Sequence, residues 1–218
     1  KWGPINVNRF FTPVEGYPSI AEVRKEPHQQ YNIGGNWHTD HSYDQIPALG
    51  SMLYAKELPK VGGDTLFAGC AAAFDTLSEG MKSTLRSLRA VHSSRHVFGE
   101  SAAIPDDMAD LFGNADKALQ DAEHPVVIKH PLSGRETLYV NPGFTTRFVG
   151  WTEKESNSLL AFLYEHISRP EHTYRFQWSK GALAFWDNRA TWHLAVNDYP
   201  GETRLMHRIT IEGEPLEP

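Results

Sequence analysis

The chain has 218 residues, 40% of them hydrophobic and 11% aromatic, enough to bury a core as a single domain and too many for a disordered or fibrous protein. Its 21 Lys and Arg against 27 Asp and Glu give a formal net charge of −6 with no offsetting basic run, so no nucleic-acid partner is expected. The lone Cys70 excludes an intrachain disulfide and any Cys-x-x-Cys metal pair, which fits a reducing, cytoplasmic setting.

No stretch approaches the ~18 apolar residues of a spanning helix, so no membrane partner is expected. The chain opens at Lys1 without a Met, and a missing N-terminal segment is expected. In chain order, strand character appears first at Leu49 to Ala55 and Thr65 to Ala68. A helical region follows from Ala71 to Leu88, broken near Ser78–Gly80, where Leu77, Met81, Leu85 and Leu88 recur every third or fourth residue. Gly99 to Glu123 is rich in Ala, Asp and Gly and reads as an excursion between strands, a solvated loop or a lid. Strands Val126–His130 and Thr137–Val140 flank Pro131–Arg135, where Gly134 suits a tight hairpin. Thr152 with Glu155 forms a capping box, Leu159, Leu160, Phe162, Leu163 and Ile167 make an apolar stripe, and Pro170 ends the helix. Strands are expected again at Thr173–Trp178, Ala182–Trp186 and Leu205–Ile211.

Many short strands, two helices and no βαβ alternation predict a mainly β fold with flanking helices, an antiparallel sandwich or roll. No Gly-x-Gly-x-x-Gly or Gly-x-x-x-x-Gly-Lys loop is present, so a nucleotide cofactor is not expected.

The chain has 11 His, a generous supply of metal ligands. In Trp37-His38-Thr39-Asp40-His41, a strand would put His38 and Asp40 on one face with Cα atoms ~6.6 Å apart, able to reach one ion. His-x-Asp alone is a weak signal. A third donor from a distant strand, His193, would complete two His and one carboxylate with open positions, the iron(II) oxygenase arrangement, whereas a structural zinc site would need a fourth protein ligand.

Arg204 and Arg208 share one strand face with Met206, while Leu205, His207, Ile209 and Ile211 take the other. If that face is buried, the two guanidinium groups are costly unless they meet anions, and their ~13 Å separation could let them serve two different ones; if it is outward, they pair with surface carboxylates. Gly62-Gly63-Asp64-Thr65 is a turn entering a strand, and the Thr65 hydroxyl could donate to a carboxylate. His41 could approach a substrate from beside the triad or make a surface hydrogen bond. His92, His96, His124, His130, His166, His172 and His207 read as structural, Tyr174, Trp178 and Trp186 as core aromatics, and Cys70 as a small buried hydrophobe.

Trp37-His38-Thr39-Asp40, Ala55-Lys56-Glu57-Leu58-Pro59 leading to Gly62-Gly63-Asp64-Thr65-Leu66, Tyr139-Val140-Asn141 with Gly143 to Arg147, and Trp186-Asp187-Asn188-Arg189 through His193 to Arg208 resemble the taurine dioxygenase family. That family also includes alkylsulfate and aryloxyalkanoate dioxygenases. The match runs in order from about Tyr31 to Gly213. The resemblance implies a double-stranded β-helix (jelly roll) that binds Fe(II) through His38, Asp40 and His193. It implies that Arg204 and Thr65 hold the distal carboxylate of the cosubstrate 2-oxoglutarate, with O₂ as oxidant and hydroxylation as outcome.

By the same resemblance Arg208 grips a small anionic organic substrate, with Phe98 and Phe144 lining its pocket. The family's sulfonate-binding His falls near Thr12, and the residues that read taurine's amine fall near Ile33 and Gly34. This favours a less polar sulfonate, sulfate ester or carboxylate over taurine. A homo-oligomer is implied by resemblance only. The competing readings are a non-catalytic jelly-roll module that binds a small acid and a zinc hydrolase; the triad together with the Gly-Gly-Asp-Thr turn speaks against both.

Overall fold

The computed structural model describes residues 2–100, 102, 105 and 117–218. Its strands are β1 (Ile5–Asn6), β2 (Pro13–Val14), β3 (Tyr17–Lys25), β4 (Gly50–Glu57), β5 (Thr65–Gly69), β6 (Arg89–Ser93) and β7 (Asp121–Pro125). They continue as β8 (Val127–Lys129), β9 (Glu136–Leu138), β10 (Thr145–Phe148), β11 (Thr173–Phe176), β12 (Leu183–Asp187), β13 (Thr191–Ala195) and β14 (Arg204–Ile211). The helices are α1 (Cys70–Asp75), α2 (Glu79–Arg86), α3 (Arg95–Phe98) and α4 (Glu153–Ile167). The chain is mainly β with few helices.

The strand pairs are antiparallel. A six-stranded sheet runs β12-β4-β14-β3-β2, with β1 also on β14. Smaller sheets run β11-β5-β13 and β10-β6-β7, and β8 pairs with β9. The period-two alternation of β14 decides how it sits. Arg204, Met206 and Arg208 are buried, and Leu205, His207 and Ile209 are half-buried. The inward reading of the two Arg is therefore the one the fold adopts.

A core cluster of Val23, Leu53, Ala55, Ala184, Trp186 and Met206 takes in Phe67 of β5, Phe176 of β11 and Trp178. It joins the six-stranded sheet to the β11-β5-β13 sheet face to face. A second cluster packs Phe74 and Leu77 beside α4 residues Leu160, Leu163 and Ile167 against Phe148 and Trp192. Burying a side chain such as Leu163 contributes about 1.5–3 kcal/mol.

The capping box forms: the Thr152 side chain accepts from Glu155 N, and the Glu155 carboxylate accepts from Thr152 N. The helical region from Ala71 to Leu88 splits into α1 and α2, and Ser78 Oγ caps α2 by accepting from Met81 N. Gly134 takes φ +69° in the turn between β8 and β9.

Several elements depart from expectation. Strand Val126–His130 is shorter than expected: β8 spans Val127–Lys129, and Val126, between β7 and β8, donates its N–H to Leu88 O and accepts from Tyr139 N. The sequence pattern does not predict β1, β2, β3, β6, β7 or β10, and predicts β13 only as the strand that carries His193. Tyr174 is 64% exposed, not a core aromatic. Most of the Gly99–Glu123 excursion, with its lid reading, lies outside the described residues. Among the described residues no helix is long and apolar enough to cross a membrane.

Candidate metal centre and active site

His38 and His193 meet as an isolated antiparallel bridge: His38 N donates to His193 O at 3.1 Å and His193 N to His38 O at 2.9 Å. Directly opposed residues share a face, and the two imidazole centroids lie 4.0 Å apart. Gly143 makes the approach possible, because a Cβ there would stand 2.8 Å from His38 Cβ.

Asp40 is not on a strand with His38, as the spacing suggested. The chain enters a turn at Asp40, and His41 takes φ +57°. Thr39 pins this departure by donating Oγ1–H to Asn188 O (2.6 Å), with Thr191 O at 3.0 Å. The outcome is the one the spacing predicted by another route. Asp40 Oδ1 lies 3.7 Å from His38 Nε2, and Oδ2 lies 3.8 Å from His193 Nε2. Donor atoms of the three residues all fall within 4.8 Å of one another.

The protonation states suit a cation. His38 Nδ1–H donates to Asn36 O at 2.8 Å, so its Nε2 lone pair faces the Asp40 carboxylate. Burial holds both imidazoles below their usual pKa. Burial alone would raise the Asp40 carboxyl, but Arg208, His193 and His38 together outweigh it and hold it far below the usual carboxylate range. Two neutral imidazoles and a carboxylate thus turn electron pairs toward one point, a donor set that fits a divalent transition metal.

Arg208 Nη2 lies 2.8 Å from Asp40 Oδ2, and its buried Nε has no hydrogen-bond partner among the described residues. Arg208, His38, Asp40 and His41 line a cavity of about 760 Å³. Phe98 and Phe144 form part of its aromatic wall, 6.0 Å apart between ring centres, and the Phe144 ring stands edge-on to His38 at 6.3 Å. Ile33 and Gly34 line it too, whereas Thr12 is not among its lining residues.

Arg204 and Thr65 sit apart from that lining, buried together. Arg204 Nε donates to Gly63 O at 2.9 Å, and Nη2 reaches Thr65 Oγ1 at 3.4 Å. Trp178 Nε1 also donates to Thr65 Oγ1 at 3.0 Å, which leaves the Thr65 hydroxyl proton to be given elsewhere. Gly63 adopts φ +70°, and a Cβ there would press on Pro59 and on Arg204 Cδ. Among the described residues no carboxylate lies at ion-pair distance from Arg204, and its burial lowers its pKa.

Of the two readings of His41, the fold adopts the one beside the triad: His41 is buried and lines the cavity, with Nδ1 3.2 Å from Asp44 Oδ2, and Arg9 Nη2 lies 2.5 Å from the same oxygen. His96 differs from expectation: read as structural, it lines the cavity with Nε2 3.0 Å from Gly143 O. Ser51, which donates to Asp40 Oδ2 at 2.7 Å, was not singled out, because a serine on a strand carries no local mark of its partner.

The profile of the taurine catabolism dioxygenase TauD, TfdA family matches residues 1–210. The chain belongs to this family. Among curated members it is 38% identical over 182 residues to an alkylsulfatase of Acinetobacter baylyi, covering 82% of this chain and 57% of that one. It is 37% identical over 183 residues to an alpha-ketoglutarate-dependent sulfate ester dioxygenase of Pseudomonas putida, covering 82% and 60%. The chain thus spans less than two thirds of the length of these two relatives. A solved taurine dioxygenase of Burkholderia xenovorans superposes with a TM-score of 0.78 at 33% identity, over 97% of this chain and 69% of that one.

Proposed function

We propose that residues 1–218 form one double-stranded β-helix (jelly roll) domain, and that it is an Fe(II)/2-oxoglutarate-dependent dioxygenase that hydroxylates a small organic anion. The observation that carries this reading is the convergence of His38 Nε2, the Asp40 carboxylate and His193 on one point, beside a cavity that Arg208 enters. The balance is R–H, O₂ and 2-oxoglutarate giving R–OH, succinate and CO₂, with one oxygen atom in the hydroxyl and the other in succinate.

His38, Asp40 and His193 would hold the iron, and no fourth protein donor closes the site among the described residues. Bound iron supplies the redox chemistry that couples decarboxylation of the keto acid to oxidation of a substrate C–H bond. The remaining tasks belong to the chain. Arg204, buried without a carboxylate, and the donor-ready Thr65 hydroxyl would bind the distal carboxylate of 2-oxoglutarate. Arg208 would hold the substrate's anionic head, while Phe98, Phe144 and His41 shape the space for its body and keep water out.

The relatives named for alkyl sulfates and sulfate esters, together with the aromatic cavity wall, favour a sulfate ester or a similarly apolar anion. Taurine is disfavoured, because Ile33 and Gly34 stand where the family's residues that read its amine fall, and neither offers a polar side chain.

The test is succinate release from 2-oxoglutarate with Fe(II), ascorbate and O₂ across alkyl sulfates, alkylsulfonates, aryloxyacids and taurine. Stimulation by one anion class, lost in His38→Ala, is the expected result. Silence across the panel with no basal decarboxylation would contradict the reading.

A further inference from the structure

We propose that Ser51, Asn188 and Trp186 are positioning residues for Asp40, forming a one-way hydrogen-bond relay that decides which carboxylate oxygen faces the ion. The assignment rests on the metal-site reading above.

The relay's direction follows from donor and acceptor types. Trp186 Nε1–H, which can only donate, gives its proton to Asn188 Oδ1 at 2.9 Å. That fixes the Asn188 amide, so its Nδ2 turns to Ser51 Oγ at 3.4 Å. Ser51 Oγ must accept there, and Arg208 Nη2 approaches it as a second donor at 3.5 Å. The single hydroxyl proton of Ser51 is left for Asp40 Oδ2, 2.7 Å away, an ionised carboxylate that can only accept. The relay is shielded from bulk solvent, since Ser51 is 0% and Asn188 1% exposed.

The backbone holds the relay in register. Trp186 and Ser51 are directly paired between β12 and β4, and Asn188 N donates to Leu49 O at 2.9 Å. The Trp186 ring also lies against His193, with centroids 4.6 Å apart. One tryptophan therefore touches one metal donor with its ring and steers another through its N–H. With Ser51 and Arg208 both on Oδ2, Oδ1 is the oxygen presented to a cation.

Mn(II) binding to the intact chain, followed by electron paramagnetic resonance, tests this. Ser51→Ala should raise the Mn(II) dissociation constant about 10-fold and alter the bound-ion spectrum. Trp186→Phe keeps the ring on His193 but removes the donor, and should shift both in the same direction by less; Ser51→Thr should restore them. Wild-type affinity and spectrum in Ser51→Ala, beside lost binding in His38→Ala, would overturn the relay alone. So would a lowered melting temperature of metal-free Ser51→Ala with an unchanged Mn(II) spectrum, or an effect of Trp186→Phe without one of Ser51→Ala. Failure of the unaltered chain to bind Mn(II) would overturn the metal reading and the relay with it.

Discussion

Arg204 and Arg208 project inward from one face of β14 on either side of Met206, and among the described residues Arg208 meets a carboxylate and Arg204 does not. A buried guanidinium without an anion is costly, which is why the proposed function gives Arg204 the carboxylate of 2-oxoglutarate. Charge-assisted hydrogen bonds contribute about 1.5–3 kcal/mol, which converts to a roughly 10- to 100-fold change in binding. Arg204→Ala should therefore raise the KM for 2-oxoglutarate by about that factor and leave the Mn(II) dissociation constant unchanged. Steady-state kinetics with a parallel metal titration checks both.

Arg208→Ala should separate the two half-reactions. Stimulation of succinate release by the anionic substrate should fall at least about 10-fold, while basal decarboxylation persists, because in the proposed function the cosubstrate carboxylate falls to Arg204. If 2-oxoglutarate binding were lost instead, the roles of the two Arg would be reversed.

The cluster of His38, Asp40 and His193 was legible because a His-x-Asp pair and a distant His are restricted by what a metal accepts. The path of the chain between them was not. Extended backbone at Asp40 was the wrong reason for the right convergence, since the turn at positive-φ His41 depends on Thr39 reaching Asn188 and Thr191. β3 escaped notice because Lys25 occupies a buried, inward position and Pro18 sits near its start, which together mask the alternation of Ala21 and Val23. Ser51 and Asn188 were unreadable for a different reason: their contact spans 137 positions of sequence. The β14 face was readable because alternation over the seven residues from Arg204 to Thr210 leaves only two choices, and only Ile211, buried next to Thr210, breaks it.

Gly143 should tolerate no side chain. A Cβ 2.8 Å from His38 Cβ and 3.3 Å from Asn141 Oδ1 has no room on either side. Gly143→Ala should displace the His38 ring and weaken Mn(II) binding about 10-fold, with far-UV circular dichroism unchanged. Equal binding by variant and wild type would show that the approach of these two elements does not hold the ligand.

Stability should fall in mild acid. His92 is fully buried against His124 and Tyr139, and burial, reinforced by His124, holds its imidazole well below the usual 6.5. The unfolded chain then binds more protons than the folded one below about pH 6.5, so stability is present above that pH and is lost as pH falls. The melting temperature of metal-free protein should drop from pH 7 to pH 5, and His92→Phe should show a shallower drop. Parallel slopes would contradict this.

If His38, Asp40 and His193 hold one iron at which 2-oxoglutarate binds, anaerobic visible absorption should report the ternary complex. Adding Fe(II) and then 2-oxoglutarate to the intact chain should produce a charge-transfer band that needs both components and saturates at one iron per chain. The band should be absent in His38→Ala, and in Arg204→Ala it should require more 2-oxoglutarate. No band in the unaltered chain, or an undiminished one in His38→Ala, would contradict the account.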